Sequence, residues 1–86
     1  GDEMKAEFLP PDFIQWLNGY IDVHNIDTFE LACAVGVVHR SVKRRLNYRT
    51  KITLNEFFLI IDFLAASSRT TSSDLLKQCL EATGKL

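Results

Sequence analysis

The chain has 86 residues, 47% hydrophobic and 24% charged, enough for a single compact core and too short for a cleft between two lobes. The formal charge of −1 hides a dipole in sequence: Leu31 to Asn55 carries six Lys or Arg and no acid, while the rest of the chain holds four basic residues and all eleven acids. No apolar run approaches the roughly 20 residues that span a bilayer, and the opening Gly-Asp-Glu-Met-Lys-Ala-Glu-Phe is acidic where a secretory signal is basic, so a cytoplasmic protein with no membrane partner is expected.

Residues 1–9 have no clear period and read as a loose N-terminal arm ahead of one domain over 10–86. Pro11 and Asp12 make a good helix entrance, since proline has no amide to lose there and an acid suits the positive end of the helix dipole. From Phe13 the residues Phe13, Leu17, Tyr20, Ile21 and His24, with Ile14 and Trp16 beside them, follow the helical period to about His24. Asp27 and Glu30 form a capping-box-like start to a short helix from Thr28 to Val35, which Gly36 stops. A third helix is predicted from near His39 to about Asn47. Thr53 and Glu56 open a fourth, in which Leu54, Phe57, Phe58, Ile61 and Leu64 make an apolar stripe that Ile60 widens. After the polar run Ser67–Ser73, a last helix from about Ser73 to Thr83 shows Leu75, Leu76, Cys79 and Leu80 on one face, with Gly84 beyond its end. Cys33 and Cys79 both fall inside apolar patterns far apart in sequence, so they read as small core residues, not as a disulfide or a zinc site. The expected fold class is all-α with five helices.

Helices two and three carry a more specific pattern. Counting from Thr28 as one, a helix-turn-helix needs a small residue at place five, where the helices cross closely. It needs a residue tolerant of positive φ at place nine, and apolar residues at places four, eight, ten and fifteen. The chain has Ala32, Gly36, Leu31, Val35, Val37 and Val42 there, and all six agree. Such a unit holds its second helix proud of the surface, where it can enter a DNA major groove.

With "DTFELACAVGVVHRSVKRRLN", the loop "YRTK" and "ITLNEFFLIIDFLA", the stretch Asp27 to Ala65 resembles the Cro and lambda-repressor-like DNA-binding domains, also called the xenobiotic-response-element type. The resemblance implies a compact five-helix lambda-repressor-like domain that binds double-stranded DNA. It assigns base reading to His39, Arg40, Lys43 and Arg44, since arginine bidentate to guanine is the commonest specific base contact. It assigns phosphate and backbone contacts to Thr28, Ser41, Asn47, Arg49, Thr50 and Lys51.

The chain departs from the family at three places. Arg45 stands where the family has an apolar residue and is expected to snorkel past the core to a phosphate, with Leu46 taking over the packing. Tyr48 stands where glycine is preferred, and Val38 where a Ser or Thr cap is usual. Leu59 and Phe63, four apart on helix four, lie off its main stripe. With Leu76 of the last helix they form a candidate dimer or partner face, to be covered by the last helix folding back or by a second copy of the chain.

His24 and His39 have no Cys, Asp or Glu at ligand spacing, so no metal is expected. With no glycine-rich phosphate loop and no nucleophile and base that the sequence can pair, neither an enzyme, a cofactor nor a small-molecule substrate is expected. Two functions follow. One is a sequence-specific transcriptional regulator, a repressor that binds a palindromic operator as a homodimer. The other is a protein-interaction module that keeps the helix-turn-helix scaffold but binds an acidic or apolar protein partner through the basic helix or the Leu59 and Phe63 face.

Overall fold

The structure, a computed structural model, describes residues 8–86. Among them the chain forms five helices: α1 (Pro11–Val23), α2 (Thr28–Val35), α3 (His39–Leu46), α4 (Leu54–Ser67) and α5 (Ser72–Ala82). The only extended pairing among the described residues is an isolated antiparallel bridge between Phe8 and Thr53. No helix of the described chain is long and apolar enough to cross a membrane.

Local chemistry sets where the helices begin. Pro11 occupies the first turn of α1, and the Asp12 carboxylate accepts from the Phe13 amide at 3.1 Å. Asp27 caps α2 by accepting from Phe29 N at 2.8 Å, and Thr71 caps α5 through Asp74 N at 3.1 Å. At α4 the capping box is complete: Thr53 Oγ1 accepts from Glu56 N, and Glu56 Oε1 accepts from Thr53 N, both at 3.1 Å.

The helix ends share one device, a residue with left-handed backbone just past the last turn: Asn25 (φ 54°), Gly36 (φ 86°), Tyr48 (φ 64°), Arg69 (φ 59°) and Gly84 (φ 75°). Each reversal lets a later amide reach back to a carbonyl of the last turn. After α1, for example, Ile26 N donates to Ile21 O at 2.9 Å.

The core is assembled around α4, which packs on α2 and α5, while α1 packs on α3 and α5. Leu17, Leu31, Ile52, Leu64, Leu75 and Cys79 are fully buried, and Phe13 meets Phe57 edge-on with ring centroids 5.7 Å apart. The buried face of α4 is Phe57, Ile60, Ile61, Leu64 and Ala65.

Four expectations are corrected here. Leu54 and Phe58 are not part of the inward stripe: they lie exposed, Phe58 at 50%. The buried face of α4 is centred on Phe57, Ile61 and Leu64, and Phe58 lies about 100° round from Phe57, past the edge of that face. The same rotation carries Cys33 off the Leu31, Ala32 and Val35 face, and its thiol is exposed. His24 is exposed too, stacked on Tyr20 with centroids 4.0 Å apart. At the other end of α1, Phe8 and Leu9 are not loose: Leu9 is buried and its amide donates to Ile52 O at 2.8 Å. The rest of the expected arm, residues 1–7, lies outside the described residues.

Candidate nucleic-acid interface

Three residues, Gly36 to Val38, connect α2 to α3. The connection is this short because Gly36 turns left-handed, so that Gly36 N and Val37 N both donate to Ala32 O, at 2.9 and 3.1 Å. Leu31, Ala32, Val35 and Val42 are buried between the two helices and α4, and Val37 packs at the margin of the same core. With Val42 and Leu46 turned inward, Arg40, Lys43 and Arg44 face solvent. Val38 caps α3 with no side-chain bond, and its carbonyl takes the Ser41 amide at 2.9 Å.

The far end of α3 feeds directly into more exposed positive charge. Tyr48 takes the left-handed place usually filled by glycine, and the reversal is closed by Arg49 N donating to Arg44 O at 2.8 Å. Asn18 of α1 adds a bond from Nδ2 to Leu46 O at 2.9 Å, fixing α3 against the first helix. Arg44, Asn47 and Arg49 line a shallow polar notch beside this turn. Asn47, Arg49 and Lys51 are exposed, Thr50 is half-buried, and the Lys51 ammonium sits 5.3 Å from the centre of the Phe8 ring. Arg40, Lys43, Arg44, Arg49 and Lys51 make no salt bridge with any described acid.

Four of the expected DNA contacts, Arg45, Ser41, His39 and Thr28, are engaged inside the domain. Arg45 does not extend to solvent: its Nε and Nη2 donate to Glu56 Oε1 and Oε2 at 3.2 and 3.0 Å, and its Nη1 donates to Ser41 O at 3.1 Å. The same Nη1 also bonds Ser41 Oγ, so Ser41 too is turned to Arg45. The two side chains of the ion pair are only 13% and 19% exposed. Burial works against the charge on Glu56, but the Arg45 hydrogen bonds, the Thr53 amide and the guanidinium charge outweigh it and hold the carboxyl below its ordinary value. Expected at a phosphate, Arg45 is instead the bolt between α3 and the N-terminus of α4.

His39 is also constrained. Its Nε2 lies 2.7 Å from Thr28 Oγ1, and its ring stacks on Phe29 with centroids 3.7 Å apart and planes 17° apart. The first residues of α2 and α3 are therefore tied to each other, and Phe29 is left 64% exposed.

In the expected partner face, Leu59 is exposed, whereas Phe63 and Leu76 are half-buried against the edge of the core. The uncovered apolar surface of α4 is Leu54, Phe58 and Leu59, so the candidate partner face shifts by about one helical step from Leu59, Phe63 and Leu76. Among the described residues no group of three or more His, Cys, Asp or Glu is placed to hold a metal ion.

Sequence reasoning missed three residues of this region. Glu56 was read only as a cap, although an arginine at an inward position demands an acid within reach. Asn18 and Phe29 carried no signal, because each acts through a residue distant in sequence or on another helix. No protein-family model, curated protein or solved structure matches the chain.

Proposed function

We propose that this protein binds double-stranded DNA through α3 and the loop that follows it, as a cytoplasmic sequence-specific transcriptional regulator with no catalytic activity. The observation that carries the proposal is the exposed array Arg40, Lys43, Arg44, Arg49 and Lys51, which is unpaired by described acids and lies on a helix held at its base by Val42, Leu46 and the Arg45–Glu56 bridge. A helix presented in this way suits the width of the major groove, and cations at its far end and in the next loop suit the flanking phosphates. Arg40, Lys43 and Arg44 are the proposed readers. Asn47, Arg49, Thr50 and Lys51 are the proposed backbone contacts.

The protein acts as a homodimer in this proposal, repressing by occluding a promoter at a palindromic operator with half-sites about 34 Å apart or a multiple of that distance. The exposed Leu54, Phe58 and Leu59 of α4 favour such an association, and they equally favour a second reading in which this face holds a different protein.

Fluorescence anisotropy against a random-sequence duplex at two salt concentrations tests the proposal. Each phosphate neutralised contributes about −0.9 to the slope of log affinity against log salt, so three to five contacts give a slope of about −3 to −4.5. Absence of binding at low salt would leave only the protein-interaction reading.

A further inference from the structure

The Phe29 ring and the His39 imidazole stacked on it have no part in the core. Phe29 is the most exposed aromatic ring among the described residues, at 64%. A phenyl ring so placed would ordinarily sweep through several rotamers. Here one face lies flat on the His39 imidazole, and that imidazole is fixed in turn by the 2.7 Å bond between Nε2 and Thr28 Oγ1. The Phe29 amide is itself held by the Asp27 carboxylate at 2.8 Å, so the ring is anchored at both backbone and side chain. The result is a rigid aromatic slab where the first turns of α2 and α3 meet, one residue before the exposed Arg40.

The major groove shows a protein mostly hydrogen-bond donors and acceptors. Its apolar feature is the methyl group at C5 of thymine, in the position that 5-methylcytosine also fills. An apolar surface already held still loses little conformational freedom on contact, so it can discriminate a group as small as a methyl. Resting on the DNA reading above, we propose that Phe29, positioned by His39 and Thr28, reads the 5-methyl group of one pyrimidine in each half-site. Arg40, Lys43 and Arg44 read the neighbouring base edges. His39 is thus a positioning residue and not a base reader.

The test begins with duplexes enriched from a random pool by the 86-residue chain. Deoxyuridine then replaces thymidine one position at a time, which removes the methyl and leaves every hydrogen-bonding group intact. The expected result is one position per half-site at which binding weakens about fourfold, the equivalent of one methylene-sized group withdrawn from apolar contact. At that position F29A binds the thymine and uracil duplexes equally, with its salt slope unchanged, F29L keeps part of the preference, and H39A loses most of it. Phe29 is largely exposed, so F29A and F29L should melt close to the parent, and circular dichroism checks that all three variants are folded. The assignment is overturned by an enriched site with no fixed thymine, by indifference to uracil at every position, or by F29A retaining the preference. If the unaltered protein binds no duplex at low salt, the DNA reading falls with it, whereas binding that ignores the methyl removes this assignment alone.

Discussion

Replacing Glu56 by alanine should be among the most damaging single changes outside the apolar core. It removes the carboxylate that accepts from Thr53 N at 3.1 Å, which opens half of the α4 capping box. It also removes the two carboxylate acceptors of Arg45, leaving a guanidinium that is 13% exposed with only Ser41 as a partner. A lost cap costs about 1 kcal/mol. The charge-assisted pair adds about 1 to 2 kcal/mol, discounted from a fully buried one because both ends keep some contact with water. The expected loss is about 2 to 3 kcal/mol, or roughly 10 to 20 °C in Tm for a domain of this size. A thermodynamic cycle of Arg45→Met, Glu56→Gln and the double variant, followed by urea denaturation at neutral pH and about 0.15 M salt, isolates the pair. The coupling expected is about 1 to 2 kcal/mol, and the double variant should lose less than the two single losses together, since it leaves no buried charge without its partner. Glu56 is held below its ordinary value of 4.5, so its contribution is present above that pH and is lost as pH falls through the depressed value. Acid titration of stability should therefore be shallower in Glu56→Gln. A coupling below about 0.3 kcal/mol would make the bridge an ordinary surface contact and refute its role as the bolt between α3 and α4.

Tyr48→Gly should raise Tm, because it removes the cost of holding an L-residue at φ 64°. The gain expected is about 0.5 to 1 kcal/mol after the extra chain entropy of glycine, and a lower Tm would show that Tyr48 packs usefully. The cysteines should differ sharply toward a thiol reagent at neutral pH: one per native chain, the exposed Cys33, and both in denaturant. Burial, with the charge of Asp12, pushes the Cys79 thiol from 9.0 up to about 11, so stability should also fall as pH rises through that interval, where the unfolded chain ionises first. In the DNA assay, Arg40→Ala should cost about 1 to 3 kcal/mol on an enriched site and relax its sequence preference. Arg49→Ala should weaken all sequences alike and reduce the salt slope by about 1, and the opposite pattern would exchange their roles.

The helices and their ends were legible because the signals are local. Asp27 and Thr53 cap through amides two or three residues away, and Gly36 adopts the reversal that its position predicts. The Leu31 to Val42 spacing was legible for the same reason, since apolar residues a turn apart must share a side. The sequence was ambiguous on α4, which is apolar nearly all round, so periodicity could not choose between Phe57 and Phe58. Only the positions of α2 and α5 make that choice. The site was half legible. The exposure of Arg40, Lys43 and Arg44 followed from the inward turn of Val42 and Leu46. The bond between Arg45 and Glu56, 11 residues apart, and the His39–Phe29 stack join groups on different helices, and no periodicity reports them.

The short bridge from Phe8 and Leu9 to Ile52 and Thr53 acts as a tether on the basic loop. With Ile52 fully buried and hydrogen-bonded across to Leu9, the loop that carries Arg49 and Lys51 is anchored at its far end as firmly as α3 anchors its near end. A span of charged residues held at both ends has little freedom left to surrender on contact with a ligand, so more of its electrostatic attraction appears as affinity. The same tether makes the loop dependent on a segment more than 40 residues earlier in the chain. The shape of the loop bearing Arg49 and Lys51 thus rests in part on that first segment.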